Sequence, residues 1–155
     1  MFHVVLVEPE IPPNTGNVAR LCAATGAVLH LVGPLGFELN DATLKRAGMD
    51  YWKWVQWHYH DSLESVFKNK LPQAAIYCVE TWGEKNYSDI KFQPGDYFIF
   101  GRETKGLSKK IVDSMAAEVL RIPIWHENAR SLNLSNCVAI VLFEAWRQNN
   151  FSAPA

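Results

Sequence analysis

The sequence predicts an α/β domain built on a mostly parallel sheet with helices on both faces. Short apolar runs alternate with amphipathic stretches along the whole chain, and Pro and Gly fall between these segments rather than inside them. At 155 residues the chain is sized for one core, so one domain spanning 1–155 is expected and any substrate surface must lie on it.

The runs His3–Val7, Val28–Val32, Val55–Tyr59, Ala74–Val79, Tyr97–Phe100 and Val119–Ile122 read as strands. Asn17–Thr25, Asp41–Gly48, Asp61–Lys68, Leu107–Met115 and Leu134–Gln148 read as helices. In the first helix Val18, Leu21, Cys22 and Thr25 form an i, i+3, i+4, i+7 stripe, which turns Arg20 away from the core. In the last helix Cys137 to Phe143 is apolar on every face, so burial all round and a homodimer interface are expected.

Composition narrows the class. Hydrophobic residues at 48% and charged ones at 20% exclude a disordered chain. His3 leads into an apolar run with no basic leader, and no apolar stretch approaches membrane-spanning length, so a cytoplasmic protein with no membrane partner is expected. Cys22, Cys78 and Cys137 are too far apart for a zinc site or a disulfide framework and are expected as thiols. His58 and His60 share a strand face, but with no third ligand nearby neither a metal nor any other role is assigned to them. A net charge of -1 does not advertise nucleic-acid binding, although Lys45, Arg46, Arg102, Lys105, Lys109 and Lys110 cluster locally. The aromatic stretch Tyr51–His60 is read as strand and core filling in preference to a base-stacking platform.

Three segments carry polar chemistry. Glu8 to Arg20 runs from a strand into a helix through three prolines; Asn14 or Thr15 is expected to cap the helix, and Gly16 opens the turn below Asn17 and Arg20. A ribose phosphate fits that notch, and so does a plain turn with Arg20 as a surface charge. In Phe100 to Ser108, Gly101 and Gly106 have P-loop spacing but are followed by Leu107-Ser108 where Lys is required, and no strand is followed by a dinucleotide fingerprint. A buried strand opening into a glycine-bounded loop remains, either for close approach to a ligand or as an ordinary turn. Arg130 to Asn136 holds Ser131, Asn133, Ser135 and Asn136, more capping groups than one helix uses, which points to a loop folded round a polar ligand.

Taken in order, Asn14-x-Gly16-Asn17-x-x-Arg20, Phe100-Gly101-x-Glu103-x-x-Gly106-Leu107 and Ser131-Leu132-Asn133-Leu134-Ser135-Asn136 resemble the three motifs of the SPOUT superfamily of RNA methyltransferases, in its SpoU branch. The Glu8–Asn17 and Glu144–Gln148 segments are most similar to bacterial members without an appended RNA-binding domain. The resemblance implies S-adenosyl-L-methionine as cofactor, a C-terminal trefoil knot, a homodimer, and 2′-O-methylation of the wobble nucleotide of leucine tRNAs. It places Val79, Gly101, Glu103, Gly106, Ile122, Ser131 and Leu132 at the cofactor and makes Arg20 catalytic. Asn14, Asn17, Arg20, Arg46 and Lys105 are the candidates for holding tRNA. Another RNA target, or a non-catalytic RNA-binding protein with a vestigial pocket, are the competing readings. Arg102 and the 125–129 loop are the departures from the pattern.

Overall fold

A computed structural model describes residues 1–40, 42 and 51–154. Seven strands and four helices whose ends lie among the described residues follow in the order β1 (His3–Val7), α1 (Pro12–Thr25), β2 (Val28–Val32), β3 (Trp57–His60), α2 (Leu63–Val66), β4 (Ile76–Val79), β5 (Lys85–Asn86), β6 (Tyr97–Phe100), α3 (Lys109–Asp113), β7 (Ala117–Arg121) and α4 (Leu134–Gln148). Single 3-10 turns occupy Trp52–Trp54 and Tyr87–Asp89. The strands form one sheet in the order β3-β2-β1-β6-β4-β7-β5, and every pairing between them is parallel.

Side chains of a strand alternate between the two sheet faces, and here both faces are covered. Val4 and Leu6 of β1 join one core with Val18, Cys22, Val138 and Leu142 of α1 and α4. Val5 and Val7 join the other with Ile99, Val66 of α2 and Val112 of α3. The expected two-faced α/β architecture is therefore present. Among the described residues no helix is long and apolar enough to cross a membrane.

Several boundaries differ from expectation for local reasons. Helix α1 begins at Pro12, five residues before Asn17, because proline lacks the N–H that a first helical turn leaves unpaired and its fixed φ suits that position. Asn14 and Thr15 are consequently buried inside the helix instead of capping it. The helix stops at Gly26, whose φ of 73° is the left-handed conformation that glycine adopts without strain. Strand β3 starts at Trp57 because the Trp54 N–H bonds the Tyr51 carbonyl (2.9 Å) and closes a turn first. Ser62 and Ser108 accept from Ser65 N and Ile111 N as N-caps, which shortens α2 and α3 relative to the periodic pattern. β4 starts two residues later than expected and ends where expected, β7 starts two residues and ends one residue earlier, and β5 is too short to show alternation. Helix α4 matches the expected span, with Asn133 as its cap. The expected burial of α4 on all sides is not met within one chain: Phe143 is 39% exposed and Ile140 half-buried. The helix expected over Asp41–Gly48, and Arg46 with it, lies outside the described residues apart from Ala42.

Candidate active site

The cleft of interest lies beyond the carboxyl ends of β4, β6 and β7, beside β1. Connections diverge there: β1 leads to β2 and β3 on one side, whereas β6 lies beside β4 and β7 on the other. Open parallel sheets bind ligands at such a point because the backbones part and leave a crevice. The cleft encloses about 450 Å³, within the range of roughly 300–1,000 Å³ usual for small-molecule sites. Val79, Ile122, Ile124 and Leu132 supply apolar wall; Glu80, Thr81, Lys105 and Ser131 supply polar wall.

Its shape is set by the loop after β6. Arg102 and Gly106 pair across the loop, with the Gly106 N–H on the Arg102 carbonyl at 2.8 Å. A Cβ at Gly101 would overlap the Gly106–Leu107 peptide, so this position requires glycine for backbone packing. Gly106 requires it twice, having a φ of +64° and the Glu80 carboxylate 2.5 Å from where its Cβ would stand. Glu80 is missed by sequence reasoning because it stands alone after a strand. Its Oε1 accepts from Leu107 N at 2.5 Å, and burial raises its pKa above the usual carboxylate value while the N–H groups of Leu107 and Thr81 oppose that rise.

The three motifs are joined by hydrogen bonds. Glu103 accepts from the backbone N–H of Glu10 (2.9 Å) and Ile11 (3.1 Å), and in return the Glu10 carboxylate accepts from Thr104 N (3.2 Å) and Thr104 Oγ1 (2.7 Å). The Thr104 hydroxyl and amide also hold the pKa of Glu10 below the ordinary value. Glu103 thus satisfies donors at the mouth of α1 that no local side chain caps. Asn14 donates to Glu103 Oε1 at 3.5 Å and accepts from Asn133 Nδ2 at 3.0 Å, while Asn133 Oδ1 accepts from Ser135 N and Oγ. A polar chain therefore crosses from the second motif through the first to the third.

Of the residues expected at the cofactor, Val79, Gly101, Glu103, Gly106, Ile122, Ser131 and Leu132 all line this one cleft. Of those expected to hold substrate, Lys105 and Asn14 also line it, though the amide of Asn14 is committed to the polar chain. Arg20 and Asn17 are exposed on α1 and are not part of the cleft wall. The Arg20 guanidinium sits 4.9 Å above the Tyr51 ring centroid. Arg102 forms an ion pair with Glu8, its Nε 2.7 Å from Glu8 Oε2. Ile11 and Arg130, within the first and third segments but assigned no role there, and Cys137, expected only as a thiol, also line the cleft.

The histidines assigned no role prove to be linked. On the sheet face opposite α1 and α4, His3 Nδ1 and His30 Nε2 are 3.0 Å apart, His30 Nδ1 and His60 Nε2 are 3.0 Å apart, and His60 Nδ1 is 2.9 Å from Ser65 Oγ. His58 stacks on His30. Among the described residues no group of three His, Cys, Asp or Glu side chains is arranged to hold a metal ion.

The parallel sheet, the glycine-bounded loop and the crevice after β4, β6 and β7 agree with the fold that the three-motif resemblance implies. The chain belongs to the SpoU rRNA Methylase family, whose model matches residues 1–143. It is 52% identical over its whole length, and that of the relative, to a tRNA (cytidine(34)-2′-O)-methyltransferase of Burkholderia pseudomallei (strain 1106a). A relative of the same description from Methylovorus glucosotrophus (strain SIP3-4) is 49% identical, with 98% of each chain covered. A solved structure described as giving structural insights into the 2-OH methylation of C/U34 on tRNA superposes with a TM-score of 0.90 at 41% identity, covering 98% of each chain. An AdoMet-bound rRNA methyltransferase from Sinorhizobium meliloti superposes with a TM-score of 0.81 at 25% identity over 94% of this chain and 56% of that one.

Proposed function

We propose that this protein transfers a methyl group from S-adenosyl-L-methionine to the ribose 2′-oxygen of nucleotide 34 of tRNA, in leucine isoacceptors. The observation that carries the reading is the tying of all three motifs round one cleft, in a chain about half identical to relatives described as methylating that oxygen. The residues present suit the cofactor. Val79, Ile122, Ile124 and Leu132 provide the apolar slot that a purine ring needs, and the polar side of the cleft faces a charged amino-acid tail. When bound, the cofactor supplies a methyl group already activated on a sulfonium.

The protein's share is then position and electrostatics. Gly106 and Gly101 keep the loop wall tight, and Glu103 fixes the first turn of α1 relative to that wall. Arg20, carried outward on α1, orients the 2′-hydroxyl and the neighbouring phosphate by donation; a guanidinium with a pKa above about 12 does not serve as a base. A 2′-hydroxyl acceptor also selects RNA over DNA.

Two features of assembly belong to the same reading. The half-open face of α4, with Phe143 and Ile140, supports a homodimer that brings Arg20 of one chain to the site of the other. A trefoil knot is implied by membership of the family; the end of α4 is held against the 90–92 segment, where Phe92 N donates to Gln148 Oε1 (2.8 Å), Gln148 Nε2 to Ile90 O (2.9 Å) and Asn149 Nδ2 to Phe92 O (3.2 Å). Arg20→Ala tests the mechanism. The variant should bind S-adenosyl-homocysteine like wild type in calorimetry while its methyl transfer rate falls about a hundredfold or more; methylation at the wild-type rate overturns the role of Arg20.

A further inference from the structure

The stretch Tyr51–His60 divides into two parts with different surroundings. Trp57 and Tyr59 lie in β3, and Trp52 stacks on Trp57 with centroids 4.3 Å apart, packed against the core beside buried Val55. Tyr51 and Trp54 do neither. A 3-10 turn brings residues i and i+3 to one side, and the Trp54-to-Tyr51 backbone bond sets these two rings together with centroids 6.0 Å apart. Trp54 is 63% exposed.

Each ring carries a cation. The Arg20 guanidinium lies 4.9 Å from the Tyr51 centroid, and Lys53 Nζ lies 4.2 Å from the Trp54 centroid. The surface therefore reads Arg20, Tyr51, Trp54, Lys53: two aromatic faces flanked by two exposed positive charges, beginning at the residue placed on the substrate ribose. Among the described residues neither ring belongs to a core cluster, and Trp52 packs against the core beside them.

We propose that Tyr51, Lys53 and Trp54, continuous with Arg20, form a docking surface for the single-stranded loop of the RNA substrate. The inference rests on the proposed function and deepens it by naming where the nucleotides beside the target bind. The exposed Trp54 ring takes an unstacked base on its face, the half-buried Tyr51 ring backs Arg20, and the adjoining cations take the phosphates. A second copy of this chain is a poor occupant of the Lys53–Trp54 end of the surface, because a twofold contact centred there would set Lys53 of one copy against Lys53 of the other. Held at the Tyr51 face, Arg20 is also kept extended toward the RNA, which makes Tyr51 a positioning residue for it.

The test compares the full chain with Trp54→Ala, Trp54→Phe and Lys53→Ala, using a leucine tRNA and a single-stranded oligoribonucleotide as probes. Trp54→Ala should weaken binding of both RNAs about ten- to a hundredfold without changing the salt dependence, and Trp54→Phe should restore most of the loss. Lys53→Ala should lower the slope of log affinity against log salt by about one. Titration with S-adenosyl-homocysteine and the sedimentation coefficient should match wild type throughout. Unchanged RNA affinity in Trp54→Ala and Lys53→Ala overturns the surface, as does dissociation of the oligomer by Trp54→Ala, which would assign it to a copy interface. Wild type that binds the oligoribonucleotide but not tRNA, with both variants weakened, overturns the tRNA reading and leaves the surface standing; binding of neither RNA overturns both.

Discussion

Acid should destabilise this protein through the histidine chain on the second sheet face, and the size of the effect follows from its wiring. Ser65 Oγ donates to the Ser62 carbonyl at 2.9 Å, so it accepts from His60 Nδ1–H. With His60 neutral, its Nε2 accepts from His30 Nδ1–H, and His30 Nε2 accepts from His3 Nδ1–H. Burial, which lowers the pKa of His3, His30 and His60, keeps the three rings neutral in this arrangement, and a second N–H on His30 would point at the donor of His3. Burial first, then the neighbouring His3, His60 and His58, lower the pKa of His30 from 6.5 to about 3; burial, the N-terminal ammonium and His58 lower that of His3 to about 4. The unfolded chain takes up these protons near pH 6.5 and the folded chain does not. The stabilisation is therefore complete above pH 6.5 and is lost as the pH falls toward the folded values. For His30, only 6% exposed, linkage gives about 3 kcal/mol lost between pH 7 and pH 4, at about 1.4 kcal/mol per pH unit once below pH 6. His30→Gln isolates the effect, since the amide accepts from His3 and donates to His60 without titrating. Urea unfolding at a series of pH values should show wild type losing about 3 kcal/mol relative to the variant over that interval. Parallel stability curves would refute the neutral-chain account.

Two substitutions probe the cleft itself. Gly106→Ala, strained by its positive φ and driven into the Glu80 carboxylate, should cost about 1–3 kcal/mol in denaturant unfolding and weaken S-adenosyl-homocysteine binding by at least about tenfold; wild-type affinity would show that the loop wall does not shape the site. Glu103→Ala leaves the Glu10 and Ile11 N–H groups without their acceptor and should cost about 1–3 kcal/mol in the same assay, with Glu103→Gln partly restored through its remaining carbonyl oxygen.

Much of the site could be read from the sequence because its parts are local. Gly101 follows directly on strand β6 and Gly106 closes the loop after it, Asn133 caps the helix it precedes, and the apolar stripe of α1 turned Arg20 outward as the structure shows. What escaped depends on contacts between distant segments. Glu103 closes the start of α1 from about ninety residues away, which let the helix begin at Pro12 with no cap of its own. Glu80 reaches Leu107, and Asn14 reaches Asn133, through chain reversals that no periodicity encodes. The histidines illustrate the same limit: His58 and His60 were visible as a pair on one strand, but their partners His3 and His30 come from two other strands in parallel register.

The central claim, methylation of a ribose at nucleotide 34, is tested most directly by mapping 2′-O-methylated nucleosides in tRNA from cells with and without the gene. Loss of the methyl group at position 34 of leucine tRNAs, restored by wild type and not by Arg20→Ala, is the predicted result. An unchanged position 34, with loss of a methyl group at another tRNA or rRNA position or nowhere, would contradict it.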